Sequence, residues 1–542
     1  THGIYWRSRY RFGNAPLVNY LPDPFRNRLV PHARAYTRSG LLDLIAGSPL
    51  RVVHHDQVFP GFDRLAVTRP RTASIARRAC GLVARTPGRA TGLSHLLVAE
   101  RLPASLRADP KLDVQVLVPM HRGSLGAVAV NAALQEVLSM LQAPPLHTPC
   151  PRRGDLGTPK FLGLVTTRGC NMDCSYCDFV SPKDASPCMP LELAKDAVEA
   201  YFTLLCQRGE TRAAIHFFGG EPFYAPQVVQ FSVEYARLRA AELGLSVRFE
   251  VITNGLFNQA TCAWVGEAFD TVLLSLDGPA EIQERYRPAR NGGRAFDVVQ
   301  RNAHALSQAG CELILRACVT SETVSRLPEI AGWFADEFAP DGVCFESMIS
   351  TAATEASGLR PPDPWEFGRF FCQAADTLEA YGIPARLSTA ELEACQVSFC
   401  PLGKDALIVD SRGAVSACYL LPEDWERVSL RLEYGQILPR TEAAPASLAV
   451  DPQALQAVRA LNVTEYPLCA ACFCRYHCAG GCHIKHRAAL LGETMDGLCI
   501  QTRLVSIAGL LKQLGADALY QAWLDDPAAQ HASVSALAEV LQ

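Results

Sequence analysis

Between residues 158 and 350 the chain alternates short, continuously apolar runs with longer stretches whose apolar residues recur every three or four positions. FLGLVTT (161–167), AAIHFFGG (213–220), SVRFEVITNG (246–255), TVLLSLDGP (271–279), LILRACVT (313–320) and GVCFES (342–347) read as strands. Helical spacing runs over 191–207, 227–243, 261–268, 296–309 and 329–338. Strands apolar on both faces, separated by such helices, predict parallel strands covered by helices. The expected fold class is α/β, with a partial (β/α)6 barrel over 158–389. Functional side chains in such sheets gather where strands end. GGEP, TNG, SLDGP and RACVT all fall there.

The pattern changes on either side. Residues 390–505 carry short strands, turns and most of the clustered cysteines, and 501–542 reads as amphipathic helix, with 506–542 as a helical tail. Residues 1–112 are Arg-rich and Cys-poor, with strand-like pieces at 50–59 and 94–100, and 113–157 reads as a linker with one helix at 127–141. With 49% apolar and 20% charged residues, the 542-residue chain can bury several cores. Its net charge of −4 supplies no electrostatic reason for nucleic acid or an anionic membrane as partner. No apolar run reaches the ~18 residues of a membrane span; the stretch 126–141 is broken by Asn131 and Glu136. The 21 cysteines change the picture most. Disulfide frameworks belong to small secreted domains, whereas clustered cysteines in a long chain point to metal or cluster ligation in a reducing, cytoplasmic setting.

Cys170, Cys174 and Cys177 sit in TTRGCNMDCSYCDF, just past the first barrel strand. Structural zinc takes four ligands, and the next cysteine, Cys188, lies beyond a Pro-containing loop. A cubane iron–sulfur cluster can be held by three thiolates with one iron left open. This C-x3-C-x2-C loop resembles that of the radical S-adenosylmethionine (radical SAM) superfamily, and the resemblance implies that SAM chelates the open iron. The same resemblance extends along the strand ends. It places Tyr176 against the adenine, Glu221 of FFGGEP on the SAM ammonium, with Gly219 and Gly220 allowing close backbone approach, and Asn254 of TNG near the cofactor. It places Ser275 and Asp277 of SLDGP at the ribose hydroxyls, and Arg316 of RACVT on the SAM carboxylate. Taken singly, Asp277 or Arg316 would more often be a solvated strand end or an ion pair.

Further on, Cys400 and Cys418 form C-x12-G-x4-C around Gly413, and Cys469, Cys472, Cys478 and Cys482 form C-x2-C-x5-C-x3-C, followed by Cys499. Two zinc sites using His477, His483 and His486 are one reading of this spacing. The other is a resemblance to the SPASM domain, a small Cys-rich domain that carries two auxiliary [4Fe–4S] clusters. That resemblance implies one cluster on Cys469, Cys472, Cys478 and Cys499, and another on Cys400, Cys418 and Cys482 with Cys395 as candidate fourth ligand. Most remaining cysteines read as small buried hydrophobes, with Cys344 a candidate for the substrate cavity.

HGIYWRSRYRFGNAPLVNYLP, PHARAYTRSGLLDLIAG and FPGFDRLAVTRP, ahead of a GLSHLLVAE strand, resemble the C-terminal half of class I SAM-dependent methyltransferases, without the SAM-binding half. The implied activity is a radical SAM oxidoreductase: three [4Fe–4S] clusters, reductive SAM cleavage, and hydrogen abstraction from a ribosomal peptide or protein side chain. A flavodoxin- or ferredoxin-type reductant would supply the electron. The alternatives are a sulfatase-maturating type of Ser/Cys oxidation, a small-molecule dehydrogenase, and a non-enzymatic electron-transfer or scaffold protein.

Overall fold

The computed structural model describes residues 156–539, apart from 178, 180–186, 400, 403, 404, 471, 493 and 515, together with two strands nearer the N-terminus. Those strands, β1 (Leu50–Val58) and β2 (Ser94–Arg101), pair antiparallel with an irregularity between Val52 and His54. They belong to a compact unit separate from the one below. The remainder of the methyltransferase-like segment, the helix expected at 127–141 and Cys400 lie outside the described residues.

In the larger unit, β3 (Leu162–Val165), β4 (Arg212–Phe218), β5 (Ser246–Thr253), β6 (Thr271–Ser275), β7 (Glu312–Val319) and β8 (Gly342–Ser347) lie side by side in chain order, all parallel. A short β9 (Ala385–Arg386) continues the row. Alternation along β7 separates the two faces. Leu313, Leu315, Ala317 and Val319 are buried in the core, while Arg316 and Cys318 are half-buried on the opposite face. Helices Leu191–Gln207, Pro226–Leu243, Gln259–Ala268, Ala295–Ser307 and Leu327–Phe338 return the chain between strands. The last of these buries Leu327, Ile330, Ala331, Phe334, Ala335 and Phe338 at helical spacing. Each fully buried Phe contributes roughly 1.5–3 kcal/mol against exposure, enough for one apolar stripe to hold the helix in place.

The Cys-rich segment is built onto this sheet. β10 (Leu407–Val409) pairs parallel with the free edge of β3, and β11 (Ala414–Ser416), β12 (Glu433–Leu438) and β13 (Ser447–Val450) follow antiparallel. Leu407, Val409 and Val415 share one core with Leu162 and Leu164. Gly413 turns β10 into β11 with φ of 83°, while Asp410 accepts from the backbone N–H of Arg412 and Ala414. The glycine of C-x12-G-x4-C is thus the hairpin turn that returns the chain along β11 to Cys418.

Two local expectations change. The tail expected as one helix over 501–542 is three: Gly497–Gln513, Asp517–Leu524 and Pro527–Glu539. Pro527 can only open a helix, and Asp526 caps it by accepting from Ala528 N (2.9 Å) and Ala529 N (3.2 Å). A further helix, Pro364–Glu379, lies where no element was expected, capped by Asp363 accepting from Trp365 N and Glu366 N. Among the described residues, no helix is long and apolar enough to cross a membrane.

Candidate functional site

Strand β3 runs directly into the loop that carries Cys170, Cys174 and Cys177. The turn after β4 is stitched to it: Gly220 N donates to Thr167 O (2.9 Å) and Glu221 N to Gly169 O (2.9 Å). A Cβ on Gly219 would stand 2.3 Å from Thr167 O, and one on Gly220 2.3 Å from Gly169 O. The close approach these glycines permit is therefore to the cysteine loop itself. Glu221 is buried; its Oε1 accepts from Thr253 Oγ1 (2.7 Å) and Phe223 N (3.1 Å), and its Oε2 from Asn254 N (2.7 Å). Burial pushes its carboxyl up to about 7 in spite of these bonds. Asn254 completes the circuit, donating from Nδ2 to Asn171 Oδ1 (2.8 Å) and toward Cys170 Sγ (3.5 Å).

The other flank of the loop rests on residues 286–290. Ser175 N donates to Tyr286 O (3.0 Å), Asp173 N to Pro288 O (2.9 Å), and Arg290 N to Asn171 O (2.9 Å). The Tyr176 hydroxyl donates to Asp277 Oδ2 (2.6 Å), and Arg287 Nε donates to the same oxygen (3.1 Å). The Arg287 guanidinium also lies 5.4 Å from the centroid of the Tyr176 ring. Asp277 Oδ1 accepts from Cys318 N (3.0 Å). Ser275 and Arg316 are register partners on β6 and β7, and Arg316 in turn faces Cys344 on β8. Cys344 Sγ donates to Glu346 Oε1 (3.3 Å) on the half-buried face of β8. Gly220, Glu221, Asn254 and Asp277 are thus tied to the loop by hydrogen bonds, whereas Ser275 and Arg316 are placed by strand register alone. Asn171 and Arg287 escaped the sequence reading, because nothing local marks an Asn between cysteines or an Arg more than a hundred residues away as a loop anchor.

Burial, with Glu221 and Cys177 adding to it, pushes the Cys170 thiol up to about 11. Burial likewise pushes Cys174 to about 12, against the pull of Arg287. Three cysteine sulfurs gathered in one short loop are a donor set that fits a metal cluster, which binds them as thiolates. Their count also discriminates, since structural zinc takes four ligands and the loop offers three thiolates, a number that a cubane cluster accepts with one iron left open.

The C-terminal cysteines separate into two groups. Burial, then Cys472, Cys499 and Cys469, hold the Cys478 thiol well above its usual range. Burial holds Cys418 up at about 12, with Cys482 a neighbouring charge. Ala479, Gly480 and Gly481 adopt left-handed backbone in succession (φ 50°, 82° and 60°), so Cys478 and Cys482 diverge into different groups despite lying four residues apart. These are the described members of the two sets implied by the sequence. The buried His483 Nε2, Arg475 Nε and Arg503 Nε around these cysteines have no hydrogen-bond partner among the described residues. Sulfide-rich clusters would provide acceptors there. Cys395 is exposed, and burial alone acts on its thiol. His477 Nδ1 pairs with Ala394 O (2.8 Å) and His483 Nδ1 with the Tyr466 hydroxyl (2.8 Å), as supports rather than ligands.

Comparison with known proteins agrees with this geometry. The Radical SAM superfamily matches residues 164–334. A cysteine-type anaerobic sulfatase-maturating enzyme from Clostridium perfringens is 25% identical over 206 residues, 37% of this chain and 55% of the enzyme. The chain thus spans about half the length of that curated relative. The solved structure of native anSMEcpe with bound AdoMet superposes with a TM-score of 0.51 at 19% identity, covering 66% of this chain and 100% of the other. The same protein with AdoMet and a Cp18Cys peptide gives 0.50 at 18% identity, over 66% and 98%. At that identity the likeness establishes the fold. Matched in sequence and in fold, this chain carries a radical SAM domain over residues 164–334 and is a homologue of the anaerobic sulfatase-maturating enzymes.

Proposed function

We propose that the chain is a radical SAM oxidoreductase acting on a peptide or protein side chain. The observation that carries this reading is the convergence of Glu221, Asn254 and Asp277 on a three-cysteine loop at the end of the first barrel strand. A [4Fe–4S] cluster on Cys170, Cys174 and Cys177, with SAM, supplies a 5′-deoxyadenosyl radical strong enough to take hydrogen from carbon. The chain's own residues bind and orient. Arg316 offers a fork to the SAM carboxylate and Glu221 an anion to its ammonium. Ser275 and Asp277 would hold the ribose hydroxyls and Tyr176 the adenine, while Asn254 braces the loop. The glycines 219 and 220 keep the loop close to β4. Arg287 positions both Tyr176 and Asp277, and it is the residue that must re-pair when Asp277 takes the ribose hydroxyls.

Two auxiliary [4Fe–4S] clusters on the C-terminal sets fit the sulfur grouping, with a flavodoxin- or ferredoxin-type reductant as electron source. A peptide substrate is favoured because the neighbouring fold of anSMEcpe holds one. A sulfatase-maturating type of Ser or Cys oxidation is the second reading, supported by both cysteine-type and serine-type maturating relatives. The test is anaerobic reconstitution with SAM and dithionite. 5′-Deoxyadenosine should form, and Cys174→Ala should abolish it while the auxiliary iron stays. A wild-type chain loaded with about twelve iron, as three cubanes require, that yields none would leave an electron-transfer or scaffold protein.

A further inference from the structure

Among the described residues, one compact trio of ligand-type side chains was not part of either cysteine set as a whole: His486, Asp496 and Cys499. His486 is 3% exposed and sits where the two sets meet. Its backbone N–H donates to Cys482 O (2.9 Å), so it is tied to a cysteine of the second set. Its ring faces the first: Nε2 lies 3.5 Å from Cys499 Sγ, while Nδ1 is hydrogen-bonded to Asp496 Oδ2. The carboxylate is itself immobilised, since Asp496 Oδ1 accepts from Cys499 N (3.1 Å) at the start of helix Gly497–Gln513. Ring, carboxylate and sulfur therefore form one chain with no loose member.

Such an arrangement matches what polar neighbours do around metal centres. A carboxylate that holds one ring nitrogen fixes the orientation of the other. A hydrogen bond to a ligating sulfur withdraws electron density and stabilises the reduced cluster. We propose that His486, held as an imidazolium between the Asp496 carboxylate on Nδ1–H and the Cys499 thiolate on Nε2–H, donates to that thiolate and so raises the potential of the auxiliary cluster on Cys469, Cys472, Cys478 and Cys499. It is a positioning and tuning residue, not a ligand. A second donor supports the same cage: Arg503, buried on the same helix as Cys499, has its guanidinium beside Cys472 and anchors one nitrogen on Val534 O (3.1 Å).

This inference rests on the auxiliary-cluster reading above, and the experiment separates the two. Iron, sulfide and zinc are counted in the full chain carrying Cys174→Ala, which removes the signal of the SAM-binding cluster, and the auxiliary clusters are titrated by EPR. With iron at full count, His486→Ala and Asp496→Ala should each move one midpoint to more negative potential. His486→Gln, which keeps an N–H near the same place, should restore it toward the parent value. An unmoved midpoint at full iron count overturns the tuning role and leaves the cluster reading standing. Loss of the same iron in both His486→Ala and His486→Gln makes His486 a ligand and also overturns it. A parent protein with zinc at the trio, or without auxiliary iron, removes both readings together.

Discussion

Gly220→Ala isolates the contact that seats the cysteine loop. The added methyl would stand 2.3 Å from Gly169 O, 2.5 Å from Arg168 O and 2.7 Å from Arg168 C. All three are backbone atoms of the segment leading into Cys170, so no side chain can swing aside. Restoring ordinary contact requires that segment to retreat by roughly 1 Å. The hydrogen bonds Gly220 N to Thr167 O and Glu221 N to Gly169 O, both 2.9 Å, are then stretched or lost. At about 1 kcal/mol each, with about 1–3 kcal/mol for overpacking, the substitution costs about 3–5 kcal/mol locally. The chemistry should suffer more than the fold, because a displacement of about 1 Å at a reacting site can cost about 100-fold in rate. Anaerobic 5′-deoxyadenosine production, followed by chromatography, should therefore fall about 100-fold while auxiliary iron is retained. Wild-type production with an unchanged EPR signal would refute the argument that the glycine exists for the loop.

Arg287→Met leaves Asp277, whose side chain is fully buried, without its cation; breaking such a pair costs about 3–5 kcal/mol. Denaturant unfolding should register that loss, and SAM binding measured calorimetrically should weaken. Glu221 has a carboxyl raised from 4.5 to about 7 in the folded chain, so the folded state holds the extra proton. Stability of the metal-free protein should be greatest below about pH 4.5 on this account and fall by about 3 kcal/mol as pH rises through 7. Glu221→Gln should flatten that slope, and an equally steep slope in the variant would assign the titration elsewhere. Cys395→Ala is expected to lower the iron count or alter one auxiliary EPR signal if Cys395 closes the second cage. Full iron with an identical signal places the fourth ligand elsewhere.

Much of the molecule was determined by local sequence. The six barrel strands and the helices between them follow from apolar runs and helical spacing, and their observed bounds lie within a few residues of those expected. The clustered cysteines stood out by their spacing as ligand candidates, while their division into two sets came from the family resemblance; the left-handed run Ala479–Gly480–Gly481 turns the chain between Cys478 and Cys482. The divided tail was not anticipated, although Asp526–Pro527 is a cap-and-start signal that the sequence displays.

Only the tertiary structure decided what those elements meet. That β10 would add to the free edge of β3 depends on shared burial of Leu407 and Val409 with Leu162 and Leu164, residues more than two hundred positions apart. No periodicity encodes such a pairing. The partners of the loop were equally hidden: Asn171 reaches Leu256 O (2.7 Å), and Tyr176 reaches Asp277. Strand order brings those ends together. Hence the sequence singled out the candidate residues, while the order of parallel strands determined that Gly220 abuts the loop and that Arg287 holds Asp277, and the fold of the Cys-rich segment set His486 against Cys499. Local patterns are set by backbone geometry over a few residues, but contacts between strand ends exist only once the sheet has closed around its core.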